Sequence, residues 1–349
     1  MSAPITRRRL GAAATAAIAA PLVAPLAAPF IASAEAAAPL LLRCSLDSPP
    51  SHPRNIDLRD FLGRIEHASR GAVQTRLFES GSLYPDLHVV KALVQGQVEM
   101  ACPGTWTLTG FVPDADFSEL PGLYGVPSVR VDRAVDGAPG RRVNAELVRK
   151  LHLQLLPGWL NWGFNAWFST HRPIRTLADL RGMKLRSPGG VLNSWRIHFM
   201  GGIPNVTPWP DVPLAMSQGD FDGLITTNES ARSGKLYDSG LRYSLQDEQA
   251  YSYYVPMLNQ AFWTRLGPKL QHIVLDLWAA NLPAYRARCA ATQATARARM
   301  TSHHVQFFDV SAAEREAVRQ RMLPKQATAA AAAHMTPELV KLVMNSVGA

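Results

Sequence analysis

Cysteine is scarce: 3 residues in 349, Cys44, Cys102 and Cys289, none of them in a C-x-x-C. That excludes a disulfide-dense scaffold and a cysteine-based zinc ribbon. The local signatures of catalysis and cofactor binding are missing too, with no G-x-S-x-G, G-x-G-x-x-G, P-loop or H-E-x-x-H. Histidines stand side by side only at His303-His304, in a polar helix-to-strand junction, and the others lack ligand spacing. No metal or cofactor is therefore expected, and catalysis has no local signature to carry it, although many catalytic sites have none. No basic run is interleaved with aromatics, which excludes a nucleic-acid footprint, and no fixed period marks a solenoid. What is present is apolar content, 47% hydrophobic with 18% charged residues. That builds a core, and the length exceeds one core of ordinary size, so two domains or one large α/β domain are expected.

The net charge of +9 is partly an address. Thr6-Arg7-Arg8-Arg9-Leu10 is followed by an uncharged run to Ala34, with small-residue cleavage sites at Ala32-Ser33-Ala34 and Ala34-Glu35-Ala36. This is the pattern of an export signal over 1–36, and its adjacent arginines resemble a twin-arginine signal. The competing reading is a membrane anchor, since about 20 apolar residues span a bilayer. Alanine dominance and Pro21, Pro25 and Pro29 favour cleavage. The expectation is an exported, periplasmic protein with no stable membrane insertion. Losing Arg7, Arg8, Arg9 and Glu35 lowers the charge from +9 to +7, and Arg286, Arg288, Arg297 and Arg299 read as a solvated helix face. In an oxidising compartment Cys44 and Cys102 bridge only if their strands are neighbours. Otherwise they are small core residues, and Cys289 is unpaired either way.

Strand and helix patterns alternate along the chain. Leu42, Cys44 and Leu46 alternate as a strand ended by Ser48-Pro49-Pro50. Leu58, Phe61, Leu62 and Ile65 share a helical face, and 72–78, 86–94 and 98–102 read as strand, helix and strand. This β-α-β-α-β order builds a parallel sheet. A second set follows: strands at 153–159, 162–170, 183–186 and 223–227, a short helix capped by Thr176 and closed by Gly182, and a helix with Val191, Leu192, Trp195 and Phe199 inward. The last third reads as helical, with a Ser311-x-x-Glu314 capping box and Thr336-Pro337 opening the final helix.

Gly182-Met183-Lys184-Leu185-Arg186-Ser187-Pro188-Gly189-Gly190 places an arginine at the carboxyl end of a strand, just before a helix. A guanidinium there suits a carboxylate, because it offers a bidentate fork beside free backbone N–H groups. The alternative is an arginine paired with an acid across the lobe.

This segment resembles the Gly-(Leu/Met)-Lys-(Ile/Leu)-Arg-x-Pro motif of the solute-binding proteins of tripartite ATP-independent periplasmic transporters, the C4-dicarboxylate-binding family. Upstream, Arg172-Pro173-Ile174, Asp179-Leu180 and Gly182 match the same pattern. Downstream, 208–223 looks like its proline, aromatic, acid-Val pair and Asp-Gly run, and 90–100 with Phe111-Val112-Pro113 looks like its first cleft loop. The resemblance implies a two-lobed α/β periplasmic-binding-protein fold, each lobe a mostly parallel sheet flanked by helices, with the ligand cleft between lobes. The boundaries expected are 37–163 plus 253–291 for lobe I, and 164–252 plus 292–349 for lobe II.

By the same resemblance Arg186 clamps the ligand carboxylate and Trp209 lines the cleft. Thr226 falls where relatives carry a polar contact in a Gln-Glu-Asn run, so this contact moves to Thr226 or to Asn228. Sialic-acid binders of the family carry a second arginine on the strand before Arg-Pro-Ile, and here that stretch includes Asn165 and Trp167. Their acid in the first cleft loop falls at Trp106. Losing a cation and gaining an indole disfavours a dicarboxylic or polyhydroxylated ligand and favours a monocarboxylate with an apolar or aromatic body. The tryptophans are otherwise core. The implied partners are a small organic acid and the membrane subunits of a tripartite transporter. An exported small-molecule enzyme, or a receptor feeding a sensor, remain the alternatives.

Overall fold

The structure is a computed structural model that describes residues 38–348; the predicted export signal lies outside the described residues. In chain order the strands are β1 (Leu40–Ser45), β2 (Val73–Phe78), β3 (Met100–Ala101), β4 (Leu153–Leu155), β5 (Leu160–Phe164), β6 (Ala166–Ser169) and β7 (Lys184–Ser187). They continue with β8 (Ile203–Val206), β9 (Gly223–Thr226), β10 (Tyr243–Gln246), β11 (Tyr251–Tyr254), β12 (Met257–Asn259) and β13 (Gln306–Asp309).

One sheet has the order β2-β1-β3-β12-β4 and the other β13-β10-β6-β9-β7-β8, with β5 and β11 paired between them as a two-stranded ribbon. In each large sheet a single strand runs against the rest, β12 in the first and β6 in the second. The first sheet forms as its sequence dictates. Leu42 and Cys44 point inward from β1, and the helix Pro53–Ala68 lays Leu58, Phe61, Leu62 and Ile65 over them. Each such side chain removed from water contributes about 1.5–3 kcal/mol. The free thiols Cys44 and Cys102 belong to this core, and Cys289 is likewise buried and free.

The stretch expected as one strand over 162–170 breaks at Asn165 into β5 and β6, and the break is where the chain passes from one lobe to the other. Asn165 N–H donates to Ala250 O at 2.9 Å, so the outgoing and returning segments cross side by side. A third crossing is the helix Gln260–Ser302, which leaves β12 and leads to β13, bent at Gly267-Pro268. The expected boundary at 291/292 falls within it. The last helix, Pro337–Val347, packs on Ser128–Asp136 and Ala138–Leu151, which the expected boundaries place in the other lobe.

The helix Val191–Phe199 is rotated from its expected phase. Leu192, Asn193, Arg196 and Ile197 are its buried residues, whereas Val191 is exposed and Trp195 stacks on Phe199 in a half-buried position. The inward arginine is accommodated because Glu119 meets it in the core. Three of the four arginines expected as a bare solvated face are instead paired: Arg286 with Asp136, Arg288 with Asp57 and Arg297 with Asp309.

A closed cleft built around an unpaired arginine

β7 ends at Ser187, and Ser187-Pro188-Gly189-Gly190 leads straight into the helix Val191–Phe199. This puts Arg186 at the carboxyl end of its sheet, where open α/β folds collect ligands. Its side chain is 1% exposed. Nε donates to Thr207 O at 3.0 Å and one terminal nitrogen to Ile225 O at 3.5 Å. No carboxylate of the described residues lies within ion-pair distance. The other two buried arginines of the described residues are both paired, Arg54 with Asp47 at 2.6 Å and Arg196 with Glu119 at 2.8 Å. Burial pulls the Arg186 guanidinium down to about 10, against the pull of Asp86 and Asp47. The expected alternative, an ion pair across the lobe, is not what the structure contains.

Trp209 lies under this guanidinium, 5.6 Å from ring centroid to Cζ. Its backbone N–H donates to Asp86 Oδ1 at 3.1 Å. Asp86 opens the helix Asp86–Val94, which follows the first sheet's edge strand, so this bond spans the cleft. Two further bonds do the same: His52 Nε2 meets Ser230 Oγ at 3.1 Å, and Ser51 Oγ donates to Ser233 O at 3.5 Å. The lobes are closed on one another. Burial, together with Asp47, pushes the Asp86 carboxyl up to about 7, with Arg186 opposing. At the cleft mouth a cavity of about 500 Å³ is lined by Asp47, Pro49, Pro50, Trp209, Pro210 and Lys235, among others.

Several polar atoms sealed in this region have no hydrogen-bond partner: Asp86 Oδ2, Trp106 Nε1, Asp116 Oδ2, Thr226 Oγ1 and Asn165 Oδ1. A buried orphan of this kind costs about 1–3 kcal/mol, and functional sites are where such atoms are tolerated. Trp106 packs against Trp162, with centroids 4.6 Å apart, and near Tyr254. Thr226 ends β9 next to Ile225, the carbonyl that Arg186 touches. Asn165 sits at the crossing, its amide nitrogen donating to Ser252 Oγ at 2.9 Å.

Two candidates are engaged elsewhere. Trp167 is fully buried and its indole donates to Asp247 Oδ2 at 2.7 Å. Asn228 exchanges amide hydrogen bonds with Gln246. Asp86, Asp47, Arg54 and Asp116 were missed by sequence reasoning. Asp86 reads there as an ordinary acid in a first helical turn, and its link to Trp209 spans 123 residues. Among the described residues no group of three His, Cys, Asp or Glu side chains could hold a metal ion, and no helix is long and apolar enough to cross a membrane.

Gly190 tests how closely the lobes must approach. A Cβ there would lie 2.9 Å from Asp116 Oδ2 and 3.1 Å from Trp106 Cβ, both on the opposite lobe, at φ +76°. Gly182 has a similar φ, +74°, with open space around it. Gly182→Ala should cost about 1–2 kcal/mol for strain alone, and Gly190→Ala more than that. Urea denaturation of both reads the difference, and equal losses would dismiss the interlobe contact.

Comparison with known proteins agrees with this architecture. The profile of the bacterial extracellular solute-binding protein family 7 (DctP) matches residues 45–332. The C4-dicarboxylate-binding protein DctB of Bacillus subtilis is 24% identical over 224 residues, 64% of this chain and 63% of that one. The match thus spans less than two thirds of DctB. The 2,3-diketo-L-gulonate-binding periplasmic protein YiaO of Escherichia coli is 24% identical over 67% of this chain and 70% of its own. Among solved structures, a TRAP periplasmic solute-binding protein from Ralstonia eutropha with bound (S)-2-acetolactate superposes with TM-score 0.81 at 22% identity, covering 88% of this chain and 98% of the other. The sugar acid binding protein of Advenella mimigardefordensis in complex with galactonate gives 0.82 at 20%, covering 89% and 98%. At these identities the structures establish the two-lobed fold.

Proposed function

The chain belongs to the bacterial extracellular solute-binding proteins of family 7, and on that premise we propose that it is the periplasmic receptor of a tripartite transporter, capturing an organic acid and delivering it to the membrane subunits. Arg186 clamps the ligand carboxylate, Trp209 and Trp106 wall its apolar or aromatic body, and Thr226 and Asn165 supply polar contacts. Trp167 and Asn228, engaged with Asp247 and Gln246, support the site from behind.

The observation that carries this reading is the buried guanidinium of Arg186 without a counter-carboxylate, while the other two buried arginines of the described residues are paired. A desolvated charge of that kind is stabilised by an incoming anion far more than an exposed one would be. The ligands named for relatives, a C4-dicarboxylate, a diketogulonate, acetolactate and galactonate, are all acids. A single free buried cation among the described residues, Arg186, favours a monocarboxylate. Closure follows because the ligand meets both lobes only in the closed form, and differential affinity is what shifts the population.

A thermal-shift panel of organic acids tests this. A binding acid at a hundredfold excess over its Kd raises stability by about 2.7 kcal/mol. Monocarboxylates with an apolar body should shift the melting temperature most, and succinate less. Shifts from neutral solutes with none from acids would overturn the reading.

A further inference from the structure

Charge accounting inside the cleft restricts the ligand further. Arg54, Asp47, Arg186 and Asp86 are buried there close enough to act on one another's charge, and Arg54 and Asp47 neutralise each other. Arg186 and Asp86 remain. They sense each other's charge without reaching ion-pair distance. Asp86 is 3% exposed. Its Oδ1 is taken by the Trp209 N–H, while its Oδ2 is buried with no donor. Beyond it, Asp116 Oδ1 accepts from Thr105 and Oδ2 is equally orphaned, close to Gly190.

We infer that the ligand carries, besides its carboxylate, a hydrogen-bond donor, either a hydroxyl or an ammonium, that meets Asp86 Oδ2. This rests on the reading of Arg186 as the carboxylate anchor. Carboxylate to Arg186 and donor to Asp86 satisfies both buried groups from one small molecule, each from a different lobe. Where Asp86 is ionised, a second carboxylate at the same place would face it with no buried cation left to neutralise it, because Arg54 is already held by Asp47. Like charges so placed cost most where water is excluded. A bare dicarboxylate is therefore selected against, although relatives bear that name. Asp86 becomes the specificity-determining residue and Arg186 the affinity-determining one.

The test is a matched series titrated calorimetrically into the intact protein: 3-phenylpropanoate, 3-phenyllactate and phenylalanine, with the leucine-sized trio 4-methylpentanoate, 2-hydroxy-4-methylpentanoate and leucine, and succinate. The wild type should bind a donor-bearing member at least tenfold tighter than its donor-free analogue and than succinate. Asp86→Asn preserves the acceptor for Trp209 N–H, and in it that gap should close, with the donor-free affinity unchanged. A larger loss for the amino acid than for the hydroxy acid identifies an ammonium, and a larger loss for the hydroxy acid a hydroxyl. Equal wild-type affinity for donor-bearing and donor-free acids, or a gap that survives Asp86→Asn, overturns the role of Asp86 while leaving Arg186 standing. Binding of these acids that is indifferent to Arg186→Ala, or no binding of any of them, overturns the anchor itself. The wild-type comparison decides the matter even if the variant fails to fold.

Discussion

Arg186→Met is expected to weaken acid binding by at least a hundredfold while leaving the ligand-free protein as stable as before, or more so. The two halves have one cause. Truncating one partner of a buried, hydrogen-bonded charge pair costs about 2–5 kcal/mol of binding free energy, and a hundredfold loss is about 2.7 kcal/mol. Without ligand, however, the guanidinium has only the Thr207 and Ile225 carbonyls for partners. Burial pulls its pKa down to about 10, below the usual arginine range. The folded state thus holds that proton less tightly than the unfolded chain does, and below pH 10 the charge opposes folding. Methionine fills similar volume without the charge. Calorimetry with the best acid of the panel and urea unfolding of the ligand-free variant measure the two effects separately. A fall in stability matching the loss of binding would make Arg186 a structural residue, not the anchor. Such a residue, costly at rest and useful only when occupied, is what a stability–function trade-off predicts.

What the sequence made legible follows the range of the interactions involved. Arg186 could be placed at a strand's carboxyl end because Gly182, Ser187-Pro188 and Gly189-Gly190 bracket a four-residue strand locally. Thr176 caps its short helix and the Ser311/Glu314 capping box forms, both as expected, for the same reason. Trp209 beside Arg186 came from resemblance, and the geometry brings the two together. Asp86 and Asp116 stayed hidden because nothing local distinguishes a cleft carboxylate from a helix-start or loop acid. Their partners arrive from the other lobe only once the chain is closed. The phase of Val191–Phe199 went wrong for a related reason. Apolar periodicity puts Val191, Trp195 and Phe199 inward, but that reasoning cannot see a glutamate 77 residues away that turns Arg196 into a core residue. Likewise the break at Asn165 leaves no turn signature, since an apolar stretch crossing between two sheets looks like one strand.

That unforeseen pair yields the second large effect. Arg196 donates to Glu119 Oε2 at 2.8 Å and to Glu119 O at 2.7 Å, and both side chains are almost wholly buried. Glu119 Oε1 also accepts from Ser252 Oγ, which takes a bond from Asn165, so the pair is tied to both crossing segments. Breaking a buried pair from one side leaves an uncompensated charge, which costs about 3–5 kcal/mol. Arg196→Met and Glu119→Leu should each lose that much in urea unfolding. The double variant should recover most of the loss, because replacing both charges with apolar groups of similar volume is often close to neutral. Losses below about 1 kcal/mol would place the pair with surface ion pairs. Binding sharpens the distinction. Since both terminal nitrogens of Arg196 are taken by Glu119, the double variant should retain the preference of Arg186 for acids. Any affinity it loses should appear equally for every acid in the panel, because what it alters is the fixing of one lobe against the crossing strands. A change in which acid is preferred would show that this pair shapes the cleft directly.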